Sequence, residues 1–141
     1  MQSEIAVIDA SLVIKSILPN PELQACQALL SRLQDVQLVA PALWVYEITS
    51  TFVKAVYFGQ ITEQEGSAAI RQALELGVQV ILPDETQSRL TYQWAVKLNR
   101  AAAYDCFYLA IAEALGADFW TADQRLYRSL EAERLGWLHC L

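Results

Sequence analysis

The stretch Y-D-C-F-Y-L-A-I-A-E-A-L-G-A-D-F-W-T-A-D-Q-R-L, residues 104–126, carries the pattern that decides the fold. It begins with a strongly apolar segment, Tyr104 to Leu115, which is predicted to be a helix that Gly116 ends. Asp118 to Thr121 is predicted to be a short strand, and a further helix is predicted from Ala122 to Leu135. A strand between two helices is typical of an α/β fold with a parallel sheet.

The same alternation continues on both sides of this stretch. Strands are predicted over residues 4–8, 36–40, 78–82 and 137–140, and helices over residues 11–18, 22–33, 42–58, 62–76 and 84–98. Thr62-Glu63-Gln64-Glu65 has the capping-box pattern of a helix start. No repeat, linker or low-complexity tract interrupts the pattern, so residues 1–141 are predicted to form a single domain.

The composition describes a chain with a substantial core. Hydrophobic residues make up 55% of the 141 residues and charged residues 18%, which argues against disorder. The apolar surplus indicates either a partner or a parallel sheet that is covered on both faces.

Several features predict a cytoplasmic protein that does not enter membranes. No stretch approaches the roughly 18 apolar residues of a membrane span, and the N-terminus lacks the basic segment of a signal peptide. Three widely spaced cysteines, Cys26, Cys106 and Cys140, are expected to be reduced thiols. The only histidine is His139, which argues against a histidine-rich zinc site.

Four acids stand at positions that suggest a shared site. Asp9 and Asp123 each follow a predicted strand, Asp105 lies in the first turn of an apolar helix, and Glu47 lies within the apolar run L-W-V-Y-E-I. Each of the aspartates could instead serve only a helix start, by capping or by interaction with the helix dipole. Carboxylates without histidine or cysteine suit Mg²⁺ or Mn²⁺, and the sequence leaves open whether one ion or two would bind.

Four segments resemble the PIN-domain nucleases, especially the VapC-like toxins of type II toxin–antitoxin pairs. They are V-I-D-A-S at 7–11, P-A-L-W-V-Y-E-I at 41–48, A-Y-D-C-F-Y-L-A-I-A at 103–112 and A-D-F-W-T-A-D-Q-R-L at 117–126. Each segment is short, and their order and spacing over nearly the whole chain carry the resemblance.

The resemblance implies a three-layer α/β/α sandwich that cleaves single-stranded RNA, forms homodimers and is neutralised by a small antitoxin protein. It also implies that Asp9, Glu47, Asp105 and Asp123 are catalytic and bind Mg²⁺ or Mn²⁺. Ser11 and Thr121 would then orient carboxylates or bound water, although both could simply cap helices.

The charge of the chain departs from what RNA binding favours. The net charge is −6 and the isoelectric point about 4.7, which argues against broad attraction to nucleic acid unless bound cations reverse the local sign. Candidate phosphate-binding residues are Lys54, Arg100 and Arg125, each of which could equally be a solvated surface charge.

Three other functions remain open at this point. A phosphatase with Asp9 as nucleophile would usually carry a second acid where this chain has Ser11. A metal-dependent adhesion module with a D-x-S-x-S motif would have a second serine where this chain has Val13. The third is a PIN-like protein that binds a partner or processes RNA, with weak or no nuclease activity.

Overall fold

A computed structural model describes residues 4–100 and 103–141 of the chain. Within those residues, five strands form one sheet in the order β3-β2-β1-β4-β5, and every neighbouring pair is parallel. The strands are β1 (Ile5–Ile8), β2 (Gln37–Pro41), β3 (Gln79–Ile81), β4 (Asp118–Thr121) and β5 (Leu138–Cys140). The predicted α/β fold with a parallel sheet is therefore confirmed.

The helices fill the intervals between strands, as parallel crossovers require. They are α1 (Ala10–Lys15), α2 (Leu23–Arg32), α3 (Leu43–Tyr57), α4 (Glu63–Leu74), α5 (Glu85–Lys97), α6 (Cys106–Leu115) and α7 (Gln124–Ser129). The capping box at the start of α4 is confirmed, because the Thr62 hydroxyl accepts the Glu65 N–H and the Glu65 carboxylate accepts the Thr62 N–H. Gly116, with a φ of 60°, ends α6 in the left-handed conformation.

The last predicted helix is shorter than expected. A helix was predicted to Leu135, but α7 ends at Ser129 and a 3₁₀ turn follows over Glu131–Glu133. The Ser129 hydroxyl donates to the Leu126 carbonyl, which competes with helix continuation, and Arg134 adopts a φ of 52°. Of the loop predicted before α6, residues 101–102 lie outside the described residues.

Two groups of helices cover the sheet, which completes the three-layer α/β/α sandwich. In one group α1 packs on α2 and α3, and α3 packs on α4; in the other, α5 packs on α6, which also contacts β1, β2 and β4. Trp44 and Trp94 are buried in the core. No helix in the described part of the chain combines the length and apolar character that crossing a membrane requires.

Candidate active site

Strands β1 and β4 lie side by side at the centre of the sheet. The chain runs outward from β1 to β2 and β3 and then returns to form β4 on the other side of β1. Ligands of open parallel sheets bind beyond the carboxyl ends of the strands at such a switch point. Asp9 directly follows β1, and Asp123 comes two residues after the end of β4. The sheet order therefore brings together acids from the two ends of the sequence.

Asp9 is buried, with 7% of its surface exposed, and is held by two hydroxyl groups. Its Oδ2 accepts hydrogen bonds from Thr121 at 2.7 Å and from Ser11 at 2.9 Å. Asp9 stands at the N-cap position of α1 but makes no capping hydrogen bond. Ser11 and Thr121 thus both contact the carboxylate, and both bonds fall on one of its two oxygens.

Asp123 does cap a helix. Its Oδ1 accepts the Leu126 N–H at 3.1 Å at the start of α7, while its own N–H donates to the Thr121 hydroxyl at 2.9 Å. Helix capping therefore explains one of the two carboxylate oxygens of Asp123. The charge of Asp123 nevertheless helps to raise the pKa of both Asp9 and Asp105, so it lies near both carboxylates.

Asp105 comes before β4 in the sequence, at the start of the helix that leads into that strand. Helix α6 leads into β4 and must run antiparallel to the strands, so its first turn lies at their carboxyl ends. Asp105 lies just before α6 rather than inside its first turn, is exposed, and makes no capping hydrogen bond. Its charge helps to raise the pKa of Asp9 and of Glu47.

Glu47 projects from α3, the helix that follows β2. Its Oε1 accepts a hydrogen bond of 2.6 Å from the hydroxyl of Tyr108 on α6. Tyr108 is a site residue that the sequence reasoning missed; its spacing of three from Asp105 places both on one face of α6 and could have indicated it. Burial raises the pKa of Glu47 to about 7, with repulsion from Asp9 and Asp105 acting in the same direction and the Tyr108 hydrogen bond opposing it.

Asp9, Glu47, Asp105 and Asp123 together are called the acid cluster below. Burial raises the pKa of Asp9, the hydroxyls of Thr121 and Ser11 lower it, and the charges of Asp105 and Asp123 raise it again. Partial desolvation also raises the pKa of Asp105, against the lowering effect of Arg100. Because Asp105 is exposed, solvent weakens the effect of these neighbouring charges on its pKa. The cluster therefore concentrates negative charge that folding alone leaves poorly compensated.

The family profile of the PIN domain matches residues 6–129, a span that contains the whole acid cluster. The chain belongs to the PIN domain family. No curated protein matches the sequence.

The PIN fold of this chain is similar to those of several solved structures. VapBC2 from Rickettsia felis, bound to a DNA fragment from its promoter, superposes with a TM-score of 0.71 at 12% identity over 97% of this chain and 98% of that one. A toxin–antitoxin complex from Klebsiella pneumoniae gives a TM-score of 0.63 at 16% identity, covering 95% of each chain. VapC20 of Mycobacterium tuberculosis, a toxin that cleaves the sarcin–ricin loop, gives 0.58 at 14% identity over 82% of this chain and 86% of that one.

Within residues 4–100 and 103–141, no group of three or more His, Cys, Asp and Glu side chains is arranged to hold a metal ion. The chemistry of the donors fits a hard divalent cation, since the cluster consists of carboxylates that repel one another. Mg²⁺ usually takes only one or two protein carboxylates and completes its coordination with water and phosphate oxygens.

The predicted basic residues differ in their relation to the cluster. Arg100 lowers the pKa of Asp105 and also donates a hydrogen bond to the Ser129 hydroxyl, so it lies beside the acid cluster. Lys54 is exposed on α3, two turns beyond Glu47, and Arg125 is exposed on α7, two residues beyond Asp123. The structure thus brings Arg100 to the cluster and leaves Lys54 and Arg125 as neighbouring surface charges.

Metal-free protein is expected to lose stability as the pH rises from 5 to 8. The folded-state pKa values of Asp9 and Glu47 lie above their unfolded values near 4, so this contribution to stability is fully present below pH 4. It is lost as the pH rises through the folded pKa, which for Glu47 is about 7. With Glu47 only half-buried, the loss should be about 1 kcal/mol, or about 3–5 °C in Tm.

Thermal melts in chelator at several pH values measure this effect. The matched control is Glu47→Gln, which removes the titrating group and should flatten the dependence of Tm on pH. A Glu47→Gln protein with the same slope as the parent would contradict the assignment.

Proposed function

We propose that this PIN domain is a ribonuclease that hydrolyses phosphodiester bonds of single-stranded RNA with Mg²⁺ or Mn²⁺ in the acid cluster, and that it is the toxin of a toxin–antitoxin pair. The observation that carries the proposal is that four carboxylates near the switch point between β1 and β4 influence one another: the charges of Asp105 and Asp123 raise the pKa of Asp9, and those of Asp9 and Asp105 raise the pKa of Glu47. A similarly folded toxin cleaves the sarcin–ricin loop, and another similar chain comes from a toxin–antitoxin complex, which supports the same direction.

The cation would be held by those carboxylate oxygens of the acid cluster that do not accept the hydrogen bonds described above. For Asp9 this is Oδ1, because both hydroxyl bonds fall on Oδ2. For Asp123 it is Oδ2, because Oδ1 caps α7. Asp105 makes no cap bond and offers its whole carboxylate. When bound, a divalent cation stabilises the charge that builds on the phosphate.

Glu47 has the properties of a group that orients the attacking water. Tyr108 fixes its Oε1, and its pKa of about 7 lies where a carboxylate can both be ionised at neutral pH and accept a proton effectively. Whether Glu47 serves as a ligand or accepts the water proton, it must act as the carboxylate. Arg100, beside the acid cluster, is placed to attract the phosphate backbone into an otherwise acidic site.

Metal-dependent cleavage that requires Asp105 tests the proposal. Single-stranded and structured RNAs would be incubated with Mg²⁺, with Mn²⁺ and with chelator. Asp105→Asn should fold normally, since Asp105 is exposed and caps nothing, and should reduce cleavage by about 100-fold. The control is Asp35→Asn. It removes one exposed carboxylate just before β2, at the amino-terminal ends of the strands and so on the side of the sheet opposite the acid cluster. Cleavage that persists in chelator, or in Asp105→Asn, would reject the proposed site.

A face of α3 supports the proposed protein partners. Tyr46, Val53 and Tyr57 are all exposed at helical spacing, and Phe58 follows them. Monomeric proteins rarely expose such a row, so we propose that an antitoxin or a second copy covers it. The same face favours the alternative function, a partner-binding or RNA-processing PIN protein with weak nuclease activity. Absence of cleavage for every RNA, together with stable co-purification of a small protein partner, would favour that alternative.

A further inference from the structure

Lys15 lies on the same face of α1 as Ser11, one turn later. The two side chains hold opposite ends of the same residue in the loop after β4. Ala122 donates its N–H to the Ser11 hydroxyl at 3.1 Å, and Lys15 Nζ donates to the Ala122 carbonyl at 3.1 Å. Two side chains of α1 therefore bind the N–H and the carbonyl of Ala122, an arrangement called the clamp below.

Lys15 is itself held in place. Its Nζ contacts Glu22 Oε1 at 3.3 Å, and the Glu22 N–H donates to the Asn20 side chain at 2.8 Å. Asn20 in turn donates to the Lys15 carbonyl at 2.8 Å. The turn around Pro19-Asn20-Pro21 is thus hydrogen-bonded to the Lys15 backbone, and it places the Glu22 carboxylate beside the Lys15 amine.

The residues on either side of Ala122 belong to the candidate active site. Thr121 holds Asp9, and Asp123 supplies its carboxylate to the acid cluster. We propose that Lys15, oriented by Glu22, is a positioning residue that fixes the segment from Thr121 to Asp123 and thereby sets the affinity of the cluster for a divalent cation. The link to a cation rests on the proposed function, whereas the clamp on Ala122 does not.

The location of Lys15 separates this role from a general contribution to stability. The Lys15 and Glu22 side chains are 34% and 38% exposed, and ion pairs of this kind contribute little to folding. The loss of Lys15 should therefore leave the protein folded and loosen one loop. Groups that orient metal ligands commonly change metal affinity 10- to 100-fold when they are removed.

The test compares the parent with Lys15→Met, Lys15→Arg and Arg89→Met. Lys15→Met keeps the aliphatic stem without the donor, and Lys15→Arg restores a charged donor. Arg89→Met is the control, since it breaks an exposed ion pair with Glu85 on α5. Amide hydrogen exchange of Ala122 and Asp123, and Mn²⁺ affinity by calorimetry, are measured for all four proteins.

Lys15→Met should speed exchange at Ala122 and Asp123 about tenfold and weaken Mn²⁺ binding about tenfold, with Tm nearly unchanged. Lys15→Arg should recover most of both losses, and Arg89→Met should match the parent. Parent-like exchange at Ala122 and Asp123 in Lys15→Met, or equal acceleration throughout β1, would overturn the clamp.

Accelerated exchange with unchanged Mn²⁺ affinity would overturn the link to the metal site. A parent protein that cuts no RNA would count against the proposed function alone, because the exchange measurement decides the clamp independently.

Discussion

Asp9→Asn is expected to abolish RNA cleavage and, without metal, to make the protein more stable than the parent. The substitution removes a negative charge from the most buried acid of the cluster but preserves the shape of the side chain. Because Thr121 and Ser11 both donate to Oδ2, an asparagine whose carbonyl oxygen takes that place keeps both hydrogen bonds. The amide nitrogen then stands where the free carboxylate oxygen stood, and it cannot bind a cation.

The gain in stability follows from the raised pKa of Asp9. Burial and the charges of Asp105 and Asp123 disfavour the ionised carboxylate in the folded protein, so ionisation above the unfolded pKa opposes folding. Asparagine removes that penalty. We expect the free energy of unfolding at pH 8 in chelator to rise by about 1 kcal/mol or more, and the difference to vanish below about pH 4.

Activity and stability should therefore change in opposite directions. Cleavage by Asp9→Asn should fall about 1000-fold, the size of loss expected when a group that acts directly in the reaction is removed. Urea unfolding at pH 4 and pH 8 gives the stability, and RNA cleavage in saturating Mn²⁺ gives the activity. A variant that loses activity because it unfolds, or one that is stabilised yet still cuts, would refute the role assigned to Asp9.

RNA cleavage by the parent is expected to rise with pH through the neutral range, and Glu47→Gln is expected to remove both the activity and the pH dependence. Only the carboxylate form of Glu47 can act, and its metal-free pKa is about 7. Below the pKa the rate should fall about tenfold per pH unit. A bound cation favours the carboxylate, so the midpoint should shift to lower pH as the metal concentration increases.

Tyr108→Phe provides a second measurement of the same group. The Tyr108 hydroxyl lowers the pKa of Glu47, so its removal should move the midpoint of the pH profile to higher pH while Glu47 itself is retained. The phenylalanine ring keeps the stacked contact with Phe119, whose ring centre lies 5.6 Å away. Unfolding should cost about 1 kcal/mol less, the contribution of one hydrogen bond.

Cleavage rates between pH 5.5 and 8.5, at limiting and saturating Mn²⁺, distinguish these outcomes. Glu47→Gln should lose about 100-fold at pH 8 and give a level profile. If the parent profile is level, or if Glu47→Gln retains the parent's slope, another group controls the pH dependence.

Local patterns in the sequence were enough to predict the elements of the fold. Gly116 and the capping box at Thr62 mark helix boundaries through backbone geometry that depends on neighbouring residues alone. The end of α7 was not predicted. The Ser129 hydroxyl donates to the Leu126 carbonyl near this end, and the spacing of hydrophobic residues does not reveal such a hydrogen bond.

The acids could be placed at strand ends from the sequence, but their surroundings could not. Asp9 and Asp123 meet only because β4 returns beside β1, and strand order depends on packing across the whole sheet. Tyr108 was missed for a related reason. Its hydroxyl contacts Glu47, which lies 61 positions away in the sequence.

The hydrogen bond from Thr121 to Asp9 joins residues 112 positions apart, so the acid cluster depends on both ends of the chain. A ribosome adds about 5–20 residues per second, and roughly 6 to 22 s therefore separate the synthesis of these two residues. During that interval β1 cannot pair with β4, and Asp9 lacks the hydroxyl of Thr121. A nascent chain that stops short of β4 is therefore expected to cut no RNA. The topology of the sheet thus delays assembly of the acid cluster, and with it the proposed nuclease, until the segment through Asp123 has been made.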